Sequence, residues 1–216
     1  MKRIAIVGYQ GKMGSVVFEQ LKNKYQLIGI GKNDLLKIAS ESDLIIDFSN
    51  GTNSTKTALW CAENKIPLII GATGQTEEEL KLIKDASTKI PIMKAGNFSL
   101  GIAIVCKLLK FLKEFDFDNI CIFEKHHKNK KDYPSGTAIE LKNLINKNFD
   151  ISASISGFRG GEEIGTHEIN LYFGSELLTL SHQAFSRSAF AKGVEMAVKY
   201  MLNNVDIKLY SFEEIL

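Results

Sequence analysis

Residues 3–14, RIAIVGYQGKMG, put a short apolar, β-branched run directly ahead of three glycines at positions 8, 11 and 14. The apolar residues that follow, Met13, Val16, Val17 and Leu21, recur at helical spacing through to Lys24. A strand, a glycine turn and a helix are therefore expected. Glycine lets a backbone turn tightly and come close to a pyrophosphate, whose charge is then met by the amides and dipole at a helix N-terminus. The spacing is G-x-x-G-x-x-G rather than the commoner G-x-G-x-x-G, and a glycine turn without a ligand is the competing reading. Its position, in the first strand-to-helix turn of the chain, favours a dinucleotide.

Outward from this stretch the pattern repeats. Residues 25–30, 43–49 and 67–74 read as strands, with helical patterns over 54–65 and 76–89 and a further strand at 90–93. Alternation of this kind builds a parallel sheet covered by helices. A long apolar helix from Leu100 to Phe115 then breaks the rhythm. Residues 119–124 form a strand, 136–147 a helix and 151–158 a period-two strand, and period two continues from Gly165 to Phe185 with Gly174-Ser175 placed as a two-residue hairpin turn. Residues 186–202 return to helical period, with Phe190, Val194, Ala197, Val198 and Met201 on one face. The fold class expected is α/β: a Rossmann-like parallel-sheet dinucleotide-binding domain at 1–97, completed by 186–216, and an α+β substrate and oligomerisation domain with an open mixed sheet at 98–185.

Composition narrows the function. At 216 residues, 44% hydrophobic and 24% charged, the chain is an ordinary globular one. A net charge of only +2 argues against a general nucleic-acid surface. Cys61, Cys106 and Cys121 are odd in number and lack C-x-x-C spacing, which points to a reducing cytoplasm and to neither a disulfide framework nor a zinc site. The N-terminal apolar run stops at Gly8, unlike a signal peptide, and no apolar stretch approaches the roughly 18 residues that span a bilayer.

Chemistry concentrates in a few places. After the second strand comes GIGKND, in which Gly31, Lys32 and Asn33 precede the first acid, Asp34. A dinucleotide fold ordinarily offers an acid at that strand end for the ribose hydroxyls, whereas Lys32 suits a 2′-phosphate, so NADPH is favoured over NADH. GATG at 71–74 and KAGNFSLG at 94–101 follow strands of the parallel sheet, where ligands sit beyond the carboxyl ends. Residues 123–142, FEKHHKNKKDYPSGTAIELK, gather His126, His127 and four lysines before a Pro-Ser-Gly-Thr turn. Ser135 is the natural N-cap of the helix that follows, and a helix start with Thr137 and Lys130 nearby forms a receptacle for a carboxylate. Histidine supplies a proton near neutral pH. A solvated basic loop is the alternative. His126, His127, His167 and His182 show no metal-ligand spacing, and His167 and His182 read as structural or supporting groups.

GYQGKMG, GATG, AGNFSLG and above all EKHHKNKKDYPSGTA, which fits the pattern E-x-H-H-x-x-K-x-D-x-P-S-G-T-A, together resemble the dihydrodipicolinate reductase family. RGGEEIGTHE and SHQAFSRSAFAKG extend the likeness over nearly the whole chain. The resemblance implies nicotinamide-dependent reduction of a cyclic, dicarboxylated imine, 4-hydroxy-tetrahydrodipicolinate, to tetrahydrodipicolinate with loss of water, in lysine and diaminopimelate synthesis. It implies His126 as proton donor and Lys130 as its catalytic partner, with His127, Ser135, Gly136 and Thr137 holding the substrate. Gly8, Tyr9, Gln10, Gly11, Lys12 and Met13 would line the cofactor, with Gly71, Ala72, Thr73, Ala95, Gly96, Asn97 and Phe98. A homotetramer built through the second domain's sheet is also implied. The chain departs from the family in its short segment between Ile30 and Asp43 and in the missing acid at the second strand's end. An amino-acid dehydrogenase on the same fold is a rival that explains the glycines but not the His-His-Lys-Pro-Ser-Gly-Thr grouping, and a non-catalytic NADPH sensor is another, which predicts cofactor binding indifferent to loss of His126 or Lys130.

Overall fold

The computed structural model describes residues 1–34, 36–203 and 205–216, which divide into two compact units, Met1–Phe98 with Phe190–Leu216 and Ser99–Ala189. In the first unit β1 (Arg3–Val7) leads through α1 (Lys12–Leu21) to β2 (Gln26–Ile30). A 3₁₀ turn at Leu36–Ala39 then precedes β3 (Leu44–Asp47), α2 (Gly51–Asn64), β4 (Leu68–Ile70), α3 (Glu77–Ala86) and β5 (Ile92–Lys94). The expected parallel sheet is present, in the order β10-β5-β4-β3-β1-β2, where β10 is Leu209–Tyr210 near the end of the chain.

Its central strands are apolar along most of their length because both faces are covered: Ile4, Ala5 and Ile6 in β1, Leu44, Ile45 and Ile46 in β3 and Leu68, Ile69 and Ile70 in β4 are fully buried. Alternate residues serve opposite sides. Ala5, Val7, Ile45, Leu68 and Ile70 pack with Ala58 and Cys61 of α2 and with Ile83 and Ala86 of α3. The helix α6 (Ser188–Met201) brings Val194, Ala197, Val198 and Met201 into the interior. Glu195 of α6 accepts hydrogen bonds from Gln20 Nε2 at 2.8 Å and Lys24 Nζ at 2.6 Å, tying it to α1 and the turn after it.

Several elements differ from the sequence reading, among them the strand read over 67–74, which is confined to Leu68–Ile70, and the helix read to Phe115, which ends at Leu112. The helix read from residue 54 begins at Gly51, capped by Asn50 Oδ1, which accepts from Asn53 N at 3.0 Å. The Gly, Thr, Asn and Ser of that first turn are weak helix formers and hide it. β10 was not foreseen, being too short for any periodicity to register.

The second unit contains α4 (Leu100–Leu112), β6 (Asn119–His126), α5 (Gly136–Asn148), β7 (Ser154–Arg159), β8 (Gly165–Phe173) and β9 (Glu176–Ala184). Its sheet runs β7-β6-β8-β9, with β6 and β7 parallel and the remaining pairs antiparallel, the mixed sheet expected. Val105 and Leu109 of α4 and Leu141 and Ile145 of α5 cover one face, packing on Ile120, Ile122, Ile169 and Leu171. Every second residue of β6 is buried, and after Ile120 and Ile122 the next two on that face are Glu124 and His126. The strand thus carries two ionisable groups inward at the end of its own apolar row.

Candidate functional site

Glu124 is fully buried and organises the site in the second unit. Its Oε1 accepts from Arg159 Nη2 at 2.5 Å, and Ser135 N donates to Oε1 and Oε2 at 3.1 and 3.2 Å. Its Oε2 lies 3.7 Å from both His126 Nδ1 and His167 Nε2. His167 stands directly opposite Glu124 in the β6–β8 register and reaches Ser135 Oγ at 3.2 Å. Ser135 caps α5 as expected, its Oγ accepting from Ala138 N at 3.2 Å. Gly136 and Thr137 open the helix beside it.

Electrostatics follow from this packing. Burial, then the positive charge of Lys130, drives the His126 pKa down to about 4, with Glu124 pulling the other way. Burial, then His126, takes His167 down to about 3. Burial raises Glu124, but the hydrogen bonds from Ser135 and Arg159 outweigh it and hold the carboxyl below its usual range. Lys130 reaches the same site through its charge while its ammonium pairs with Asp132 at 2.8 Å. His127, half-buried, begins the loop, its N–H donating to Glu163 O at 2.7 Å.

The ligand atoms of Glu124, His126 and His167 lie within 4.8 Å of one another, a spacing from which metal centres are built. Chemistry argues otherwise here: the carboxylate already accepts from a guanidinium and a backbone amide, and Lys130 adds a second positive charge. The cluster is a charge and hydrogen-bond network.

In the first unit a cleft of ≈ 430 Å³ opens at the carboxyl ends of β1, β2 and β3, where the strand order reverses around β1. Gly8, Gln10, Gly11 and Lys32 line it, together with Asp34, Phe48 to Asn50, and Asn53, Lys56 and Thr57 from α2. Gly8 has φ +76°, and a Cβ on Gly14 would sit 2.1 Å from Gly8 O, so the turn is closed to larger residues. No side chain caps α1 at Gly11, which leaves that helix start able to receive a phosphate. This cradle fits a dinucleotide.

Tyr9 packs against Phe18 and over Gly29, and Lys12 and Met13 open α1. Gly71, Ala72 and Thr73 follow β4 and Ala95, Gly96, Asn97 and Phe98 follow β5, and none of the seven lines the cleft. The Phe98 ring is buried among Phe48 and Phe212, at 6.2 and 5.2 Å between centroids, and does core work. Asp34, the first acid after β2, turns its carboxylate back to accept from Gly31 N at 2.7 Å.

The sequence profile for dihydrodipicolinate reductase, N-terminus, matches residues 2–98, and that for its C-terminus matches residues 100–216. The chain belongs to the dihydrodipicolinate reductase family. Among family members, the 4-hydroxy-tetrahydrodipicolinate reductase of Thermosipho africanus is 34% identical over 220 residues, covering 99% of this chain and 97% of that one. That of Campylobacter fetus is 35% identical over 253 residues, covering 100% and 99%. A dipicolinate-bound dihydrodipicolinate reductase from Paenisporosarcina superposes with a TM-score of 0.80 at 22% identity, covering 100% of both chains, a likeness of fold. The 220-residue alignment takes in nearly all of the Thermosipho protein, so the family includes another chain of much the same shortened length.

Glu124, Arg159 and Lys56 were not singled out in the sequence, and His167, read there as a structural or supporting group, stands beside Glu124 and Ser135. Glu124, Arg159 and His167 come together only through strand pairing, Glu124 opposite His167 on one side of β6 and Arg159 opposite His126 on the other. Two signals were available for Glu124, its alternation with buried isoleucines and its place at the head of the E-x-H-H pattern.

Proposed function

We propose that this protein reduces 4-hydroxy-tetrahydrodipicolinate to tetrahydrodipicolinate with NAD(P)H, in lysine and diaminopimelate synthesis in the cytoplasm. The observation that carries the reading is a buried His126, under the charge of Lys130, beside the capped start of α5 in a chain of this family. Bound dihydronicotinamide supplies the hydride, and the residues of the chain do the rest. The hydroxyl of the substrate leaves as water with a hydrogen from the neighbouring ring carbon, and His126 gives the one proton that accompanies the hydride. Lys130 polarises the ring, a substrate carboxylate competing with Asp132 for its ammonium. His127, Ser135, Gly136 and Thr137 hold a carboxylate at the positive end of α5. With a pKa of about 4, His126 is neutral before substrate arrives, and two carboxylates beside it raise its affinity for a proton, so the proton enters with the substrate.

The cleft around Gly8, Gln10 and Gly11 takes the cofactor. Lys32 and Lys56 on its wall suit a 2′-phosphate, and Asp34 suits ribose hydroxyls, so both cofactors bind and NADPH is preferred.

The test is nicotinamide absorbance during turnover, with NADPH and NADH in parallel and the unstable substrate made in place from pyruvate and aspartate semialdehyde. Oxidation that depends on substrate, and that falls by roughly 10²-fold or more in His126→Gln and in Lys130→Ala while cofactor binding persists, is the expected result. Folded, cofactor-binding protein without oxidation would sink the reading. A homotetramer through the second unit's sheet belongs to the same proposal, supported by the exposed edge strand β9, whose Leu177 and Leu178 are 52% and 37% exposed. Light scattering should then give about four times the 24.1 kDa of one chain.

A further inference from the structure

We infer that Glu124 is a positioning residue: its buried carboxylate, fixed by Arg159 and by the first turn of α5, sets the orientation and tautomer of the His126 imidazole and joins the proton donor to the anion-binding helix start. The inference rests on the reading of His126 as proton donor.

His126 Nδ1 is buried and finds no hydrogen-bond partner among the described residues. The oxygen 3.7 Å from it, Glu124 Oε2, is about 0.8 Å beyond an ordinary hydrogen bond. The other ring nitrogen, Nε2, faces Gly165 of β8, where an added Cβ would stand 3.0 Å away. The two nitrogens therefore look in different directions, one at a carboxylate and one at a glycine whose missing side chain leaves it uncrowded. A carboxylate can only accept, so it selects the tautomer with the proton on Nδ1 and leaves Nε2 to take up and release the proton that reaches substrate.

Glu124 is unable to drift toward the ring it serves. Arg159 Nη2 holds one oxygen at 2.5 Å, and Ser135 N spans both. Because Ser135 is also the cap of α5, the carboxylate that orients His126 fixes the origin of the helix proposed to hold the substrate. The charged groups facing His126 are Glu124 on its own strand, Arg159 on β7, Lys130 and Asp132 in the following loop and, when protonated, His167 on β8. Glu124 is the negative one that is buried.

Nitrogen-15 NMR of the histidine rings at neutral pH, on wild-type protein without ligands, tests this directly. The expected result is His126 protonated on Nδ1; a ring protonated on Nε2 overturns the inference without any variant. In Glu124→Gln, at unchanged melting temperature, the ring should move toward the Nε2–H form, and kcat should fall about 10²-fold with a much smaller change in KM. Glu124→Asp, which keeps the charge, should recover part of both. Loosening alone would admit water and raise the His126 pKa toward that of free histidine, whereas loss of the carboxylate lowers it. An unmoved tautomer and unmoved kcat in Glu124→Gln overturn the inference while wild-type turnover stands. The Nδ1–H form with no wild-type turnover overturns the proposed reaction and leaves the pairing of Glu124 with His126 supported.

Discussion

Burial fixes the charge of two histidines before any ligand arrives. His126 and His167 have pKa values of about 4 and about 3, against about 6.5 for the free side chain. Below pH ~6.5 the unfolded chain binds protons that the folded chain refuses, so the stability contributed by the two neutral rings is complete above that pH and is lost as pH falls toward 4 and then 3. Urea denaturation between pH 7 and 5 should show a marked loss of stability in wild type and a flatter profile in a His126→Gln, His167→Gln double variant. A slope unchanged by the two substitutions would assign the acid sensitivity elsewhere. At this scale the sequence disclosed His126, Lys130 and Ser135, because a strand end, a basic loop and a cap are local features. It did not disclose Glu124 or Arg159, and gave His167 only a supporting part, because their meaning depends on which strand lies beside which.

Elements were legible in proportion to their length and periodicity. The apolar face read in α6 is the buried one at Val194, Ala197, Val198 and Met201, whereas β10, two residues long, left no pattern. What periodicity missed in α6 is its polar anchor. Glu195 interrupts that face, and although burial raises its pKa, hydrogen bonds from Lys199, Lys24 and Gln20 prevail and bring it down to about 2. Replacing it with alanine should destabilise the first unit by about 2 kcal/mol, the scale of hydrogen bonds to a charged group, leaving the lysines half-exposed rather than stranded. The wild-type contribution is present above pH ~4.5 and lost toward pH 2, so the difference between the two proteins should shrink across that interval. Equal denaturation midpoints at pH 7 would show that the contacts of α6 with α1 are incidental.

The molecule as a whole is a first unit interrupted by a second. The return of the chain was readable from the helical period of its last third, but the need for it was not. Phe212 lies 5.2 Å from Phe98 between ring centroids, Gly193 is pressed against Phe98 O, and β10 pairs with β5. Residues 1–98 alone should therefore fail to unfold cooperatively, and residues 99–189, which form one continuous unit with a core of their own, should melt as a single transition. Scanning calorimetry of the two fragments checks both, and a cooperative transition from 1–98 would show that the late segment only decorates a sheet already stable.

The same interruption governs timing. A ribosome releases the glycine turn and the first five strands early, yet the edge strand and the aromatic cap of that sheet emerge only with residues 209–212. The inserted unit is translated whole in the meantime and can fold first, domains generally folding as units. A nascent chain stalled before residues 209–212 emerge would thus carry a finished histidine site beside a parallel sheet still open along β5.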